Sequence, residues 1–277
     1  MTWGSWGKNL NESEMAGRIE AALQMGIHSF DHADIYGGYT TEAAFGAAFK
    51  ASGVDREDVL FISKCGIQYP CETRPLEVKH YDYSATHIAF SVDNSLKHLQ
   101  TDYLDLLLLH RPSPLLDVNE VADTLLRLQA SGKIRAIGVS NFLPSQMDLL
   151  RKELPLSWNQ LECSLTHQEP MIDGTLDYAQ THRIGTMAWS PLGSYFKESD
   201  VCHQRLEPLL KELSKKYDAT EDQLLLAWLL HHPAHIHPVI GTTDIGRMQN
   251  AMDACTLSLD IQDWFRLYEA SRGHRVA

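Results

Sequence analysis

The sequence has no C-x-x-C pair and only five cysteines, Cys65, Cys71, Cys163, Cys202 and Cys255, an odd number scattered over 277 residues. That spacing excludes a disulfide-stapled scaffold, and reduced thiols in a cytosol are the simplest reading. No apolar run approaches the roughly 20 residues of a membrane span, and no basic segment followed by an apolar run opens the chain. A soluble cytoplasmic protein that binds no membrane is therefore expected. Positive charge is also scarce: 24 Lys and Arg against 36 Asp and Glu leave a formal net charge of −12. Such a surface repels phosphate backbones, so nucleic acid is not an expected partner. An anionic ligand must be held by local basic groups and backbone N–H donors. There is no G-x-G-x-x-G, which counts against an open doubly wound sheet. No linker or low-complexity tract divides the chain, so one domain over 1–277 is expected.

What is present is regular alternation. Apolar periodicity predicts helices at 12–25, 41–51, 84–99, 117–132, 145–151, 173–182, 206–217, 220–231, 245–255 and 261–270. Asn11 with Glu14, and Thr220 with Gln223, read as capping boxes, and Gly26 reads as a stop. Between the helices lie short apolar strands at 27–31, 59–64, 103–109, 134–139, 158–161, 185–188 and 238–240, with an eighth expected around 1–6. The run Leu106–Leu109 is unbroken, as a strand covered on both faces requires. Strand-then-helix alternation of this kind implies parallel strands, and eight units in this length predict an α/β protein of (β/α)₈ TIM-barrel class. The stretches 66–83 and 190–205 read as long irregular loops.

In such a barrel the site lies at the C-terminal strand ends. The residues that close the strands are Asp31, Lys64, His110, Ser140 with Asn141, Gln160 and Ser190. Each has an ordinary alternative. An Asp or Ser there serves as a helix cap, a lone Lys faces solvent, a His after leucines packs in a core, and a Gln bonds to backbone. Their convergence on one rim carries the functional reading.

Together with Tyr36, in a glycine-flanked loop, these types make a carbonyl-reducing site. A phenol with its ordinary pKa of about 10 is a poor acid at neutral pH, and a nearby ammonium favours its phenolate. Lys64 can supply the ammonium, Asp31 can keep it charged, and His110 can hold a carbonyl oxygen. The hydride must come from a cofactor.

The motifs Phe30-Asp31-x-Ala33-x-x-Tyr36-Gly37, Ile62-Ser63-Lys64, Leu108-Leu109-His110-x-Pro112, Gly132-Lys133-Ile134-Arg135-x-Ile137-Gly138-Val139-Ser140-Asn141-Phe142, Asn159-Gln160-x-Glu162 and Trp189-Ser190-Pro191-Leu192-Gly193 occur in that order. With them the chain resembles the aldo-keto reductase superfamily along nearly its whole length, most of all a bacterial oxidoreductase branch. The resemblance implies a barrel that binds NADP(H) and reduces aldehydes or ketones, with a catalytic tetrad of Asp31, Tyr36, Lys64 and His110 and with Tyr36 as general acid. It implies that Ser140, Asn141 and Gln160 hold the nicotinamide carboxamide and that Trp189 stacks on the ring. Ser190, Pro191, Leu192 and Gly193 match the pyrophosphate loop. Ile240, Gly241, Thr242, Thr243, Arg247 and Asn250 fall where the adenosine 2′-phosphate end binds, with Thr242 and Arg247 as its main holders. Gly4, Ser5 and Trp6 look like the end of the first strand, with Trp6 beside the substrate.

Three departures accompany the resemblance. The family's N-terminal hairpin is expected to be missing, Gly241 stands where many members carry lysine, and little chain follows the extra C-terminal helix. A short tail implies an open substrate pocket, with contributions from Trp6, Tyr69 and Tyr195. The expected partner is a small-molecule carbonyl, in a monomer or weak oligomer, and no resident metal is expected. Two rival readings are a zinc hydrolase using Asp31, His32, Asp34 and His110, and a non-catalytic auxiliary subunit that senses nicotinamide nucleotides. The first leaves Lys64 without a role. The second keeps all four tetrad residue types without explaining them.

Overall fold

Side chains mark where the helices begin. Helix Glu12–Gln24 starts at Asn11, whose side chain accepts from the Glu14 N–H at 2.9 Å while the Glu14 carboxylate accepts from the Asn11 N–H at 2.9 Å. Ser84 caps Ala85–Leu99 and Asp117 caps Val118–Ala130 in the same way, satisfying N–H groups that have no partner inside the helix. Each of these helices buries one apolar stripe, such as Met15, Ile19 and Ala22 in the first.

The computed structural model describes residues 3–197 and 199–277, which fall into two compact units, Met1–Asn159 and Gln160–Ala277. The strands of the first unit are β1 (Ser29–Asp31), β2 (Leu60–Cys65), β3 (Ile67–Gln68), β4 (His80–Tyr81), β5 (Leu104–Leu109) and β6 (Ile134–Ser140). β1, β2, β5 and β6 pair side by side, all parallel. Lys64 lies opposite Leu108, and Cys65 opposite Leu109. Beyond the ladder, His110 donates its N–H to the Cys65 carbonyl at 3.0 Å and Asp34 donates to Lys64 at 3.1 Å. The register thus brings the ends of β1, β2 and β5 to one edge.

In the second unit, β8 (Gly185–Trp189) and β9 (His237–Pro238) are parallel, and β7 (Leu156–Glu162) crosses the division between the units. Its core is built from helices. Leu206, Leu210 and Leu213 of Val201–Tyr217 pack with Leu224, Leu225 and Trp228 of Glu221–Leu230 and with Leu267 of Ile261–Arg272. Trp228 and Trp264 stack at 4.8 Å, and each indole N–H donates to the other's carbonyl, at 3.1 and 2.9 Å.

The structure departs from expectation in three places. The stretch 66–83 contains the β3–β4 hairpin, whose two-residue strands carry no readable alternation. Helix Val201–Tyr217 begins at Asp200, earlier than expected, and holds Pro208 inside it at the loss of one backbone bond. Residues 3–6 form turns instead of a strand, because the Gly4 carbonyl accepts from Gly7 at 2.9 Å and Asn9 at 3.0 Å; positions 1 and 2 of the expected strand lie outside the described residues. Among the described residues no helix is long and apolar enough to cross a membrane.

Candidate active site

The edge formed by β1, β2 and β5 carries four of the predicted site residues. Lys64, at 1% exposure the best-shielded of them, extends its ammonium to Asp31 Oδ1 at 2.8 Å and Oδ2 at 2.7 Å. The same ammonium donates to the His32 carbonyl at 2.7 Å and to the Tyr36 hydroxyl at 3.2 Å. Tyr36 reaches this point because Gly37 and Gly38, with φ of 63° and 64°, turn the chain back on itself directly after it. His110 follows the last residue of β5 and sets its ring edge-on to Tyr36, centroids 6.0 Å apart at 80°.

Electrostatics divides the four. Burial pushes the Lys64 pKa down, but Asp31 and Tyr36 outweigh it, so the ammonium stays charged. Burial pushes the Tyr36 phenol up; Lys64 pulls it back, Asp31 pushes it up again, and the net direction is upward. The ammonium therefore does not make Tyr36 acidic at rest, contrary to the expectation from charge alone. Burial, then Lys64 and Arg111, hold the His110 imidazole neutral. Its Nδ1 has no hydrogen-bond partner among the described residues.

His32 and Asp34 point away from this group. His32 is fully buried and neutral, its ring 4.3 Å from Phe45. Asp34 accepts from Ser91 Oγ at 2.7 Å, in the layer that also holds buried Glu42 and Ser63. Among the described residues no group of three or more His, Cys, Asp or Glu could hold a metal ion.

The predicted cofactor residues lie partly in each unit. In the first, Gly4, Ser5 and Trp6 sit in the turn, with Ser5 Oγ donating to the Gly37 carbonyl at 3.2 Å and Trp6 edge-on to Tyr69 at 5.1 Å. Ser140 is buried at the end of β6, and Asn141, in left-handed geometry at φ 61°, donates its amide to Ser140 Oγ at 2.7 Å. In the second unit, buried Gln160 faces Met187, and Trp189 closes β8 half-buried. Ser190, Pro191, Leu192 and Gly193 follow as a tight turn in which Gly193 donates to the Ser190 carbonyl at 2.8 Å. A Cβ on Gly193 would collide with Thr166 and Ser164, so the turn lies flat on that pair. Ile240 and Gly241 lead through Thr242 and Thr243 into helix Ile245–Asp253, which is capped by Asp244 and carries exposed Arg247 and half-buried Asn250. Tyr195, expected at the substrate, is instead buried and stacked on His203.

Sequence reasoning missed Tyr83 and Arg111, which touch each other beside His110. An aromatic in a loop carries no positional signal for such a contact.

The family model "Aldo/keto reductase family" matches residues 1–272. The Escherichia coli oxidoreductase YdhF is 42% identical over 277 residues, covering 99% of this chain and 93% of the relative. A 6-dehydroglucose reductase of Agrobacterium fabrum is 40% identical over 284 residues, covering 100% of this chain and 95% of the relative. Among solved structures, an aldo/keto reductase from Klebsiella pneumoniae in complex with NADP and acetate has a TM-score of 0.79 at 25% identity, covering 96% of this chain and 88% of that one. The chain belongs to the aldo/keto reductase family and has the (β/α)₈ class of fold expected from its alternating strands and helices.

Proposed function

We propose that this chain is an NADP(H)-dependent reductase that converts small aldehydes or ketones to alcohols, with Tyr36 as the general acid. The observation that carries the reading is the Lys64 ammonium, held by both oxygens of Asp31 and placed 3.2 Å from the Tyr36 hydroxyl. Burial keeps the phenol protonated until a substrate oxygen gains negative charge. Tyr36 then gives its proton to that oxygen, and Lys64 stabilises the phenolate left behind. Asp31 keeps the lysine charged and aimed. The neutral imidazole of His110 holds the carbonyl oxygen against Tyr36 by a hydrogen bond.

Bound NADPH would supply the hydride, which no side chain carries. The donor set fits such a group. In the first unit, Ser140 and Asn141 offer a hydroxyl and an amide for a carboxamide, and Gly4, Ser5 and Trp6 form the N-terminal turn tied to Gly37. In the second, Gln160 offers an amide, Trp189 a stacking face, and Ser190, Pro191, Leu192 and Gly193 a turn without a large side chain at its tip. Ile240, Gly241, Thr242, Thr243, Arg247 and Asn250 surround a helix start, where Arg247 can pair with a 2′-phosphate.

The match over 1–272 supports reading 1–277 as one domain. Our reading also places the protein in the cytoplasm as a monomer or weak oligomer. The NADP complex of the Klebsiella protein and the 6-dehydroglucose reductase activity named for the Agrobacterium one support a nicotinamide cofactor and a carbonyl substrate.

The test is NADPH oxidation with 4-nitrobenzaldehyde. Tyr36→Phe should lower kcat by about 10²–10⁴ while tryptophan quenching by NADPH titrates as in the wild type. Unchanged kcat would remove Tyr36 as the acid.

A further inference from the structure

β5 ends at Leu109, and the residue that follows must be held without a sheet around it. The His110 N–H makes the last bond of the ladder, to Cys65. Beyond it the Arg111 N–H donates to the Tyr83 hydroxyl at 3.1 Å, and that hydroxyl donates to the Arg111 carbonyl at 2.6 Å. Pro112, next in line, brings no N–H of its own. A hydroxyl can donate and accept at once, so a single phenol brackets one residue's backbone from both sides.

We propose that Tyr83 is a positioning residue for His110: its hydroxyl clamps the backbone directly after the imidazole-bearing residue and so fixes the ring against Tyr36. The inference rests on the reading of His110 as the group that holds the carbonyl oxygen.

The clamp is itself rigid. Tyr83 is 7% exposed, and its ring occupies the space where Gly66 would carry a Cβ. Gly66 has φ +106°, a conformation that other residues avoid, so this neighbour of Cys65 is matched to the ring above it. The Asp82 N–H donates to the Gly66 carbonyl at 2.9 Å, tying the segment to the end of β2. On its other side Tyr83 adjoins Ser84, the cap of the 15-residue helix Ala85–Leu99. Cys65 and Gly66 thus serve both ends of the arrangement, one accepting from His110 and the other seating the ring. Burial also pushes the Tyr83 phenol up, so it remains a donor through the working pH range. Without the hydroxyl, His110 keeps its bond to Cys65 but the backbone after it loses both of its bonds to Tyr83. A shift of about 1 Å in a reacting group costs up to about 10²-fold in rate.

The experiment is a double-mutant cycle in NADPH-dependent reduction of 4-nitrobenzaldehyde. Tyr83→Phe, which keeps the ring on Gly66, should lower kcat by about tenfold and leave NADPH affinity unchanged. In a His110→Ala background the same change should alter kcat by less than about twofold, because the two residues act as one unit. Ser84→Ala removes the neighbouring helix cap and serves as the destabilised control. It should lower Tm while kcat stays within about twofold of wild type. The proposal is overturned by wild-type kcat in Tyr83→Phe, by an equal loss in both backgrounds, or by an equal loss in Ser84→Ala. Wild-type kcat in His110→Ala is a different result: it overturns the reading of His110, and this inference with it.

Discussion

Lys64 and Asp31 meet through both carboxylate oxygens, and the lysine at the centre of the pair is 1% exposed while the aspartate side chain is 15% exposed. An ammonium so shielded stays charged because of its partners, Asp31 first and Tyr36 after it. Asp31→Asn should therefore destabilise the protein by about 3–5 kcal/mol near neutral pH, as expected when one member of a buried pair is removed. The pH dependence should also change sign. In the wild type the folded Lys64 pKa lies above its unfolded value, so this contribution is fully present below the unfolded pKa and is lost as pH rises through the folded one. In Asp31→Asn the folded lysine pKa falls below the unfolded one, so stability gains as pH rises toward the alkaline range. Denaturant midpoints between about pH 8 and pH 11 measure this; a parallel decline in both proteins would show that Asp31 does not hold the charge.

Asp34 presents the opposite case, a carboxyl whose burial outweighs the pull of the Arg74 cation. Its pKa is raised to about 7, with burial the main cause, Ser91 opposing and Glu42 adding. Its Oδ1 has no hydrogen-bond partner among the described residues. The folded state thus holds a proton that the unfolded state releases near pH 4. Asp34's contribution is fully present below that pH and is lost as pH rises through about 7. Asp34→Asn carries no such proton. Its stability relative to wild type should climb across this window by about 3–4 kcal/mol. His32 and Glu42 remain in both proteins, and the Glu42 charge acts directly on Asp34, so the difference reports Asp34 together with its coupling to Glu42. A flat difference between about pH 5 and pH 8 would mean that Asp34 is charged throughout.

Much of this arrangement was legible in the residues. Apolar runs such as Leu106–Leu109 have only one stable disposition, so β5 and its neighbours fell within a residue or two of expectation. The polar residue closing each run then pointed to the edge where Asp31, Tyr36, Lys64 and His110 meet. The direction of the Tyr36 pKa was not legible, since burial outweighs a lysine that sequence can place but cannot weigh against desolvation. Nor was the β3–β4 hairpin, whose strands are too short for alternation to register. The Tyr83 clamp depends on one phenol meeting a backbone 28 residues away, and spacing says nothing of that. Tyr195 fails for a related reason: an aromatic after a glycine turn is as ready to pack inward, here on His203, as to face a ligand.

Arg247 tests the cofactor reading from the other end of the proposed nucleotide. Its backbone N–H already donates to Asp244 Oδ1 at 2.9 Å, so the cap spends one of the free donors at the start of helix Ile245–Asp253 and brings a carboxylate there. That negative charge opposes a phosphate. The exposed guanidinium of Arg247 must then supply the attraction, because a 2′-phosphate beside Asp244 gains less from the helix start alone. A charge-assisted pair of this kind contributes about 1.5–3 kcal/mol. Arg247→Ala should accordingly weaken NADPH binding by about 10- to 100-fold and leave NADH, which lacks that phosphate, nearly unchanged. The NADPH effect should shrink as salt is raised, since the pair is solvent-exposed and screened over about 10 Å at 0.1 M. Titration of tryptophan fluorescence with each nucleotide at two salt concentrations measures both. Equal losses for NADPH and NADH would place the 2′-phosphate elsewhere, whereas a selective loss that salt diminishes makes Arg247 the residue that separates the two cofactors.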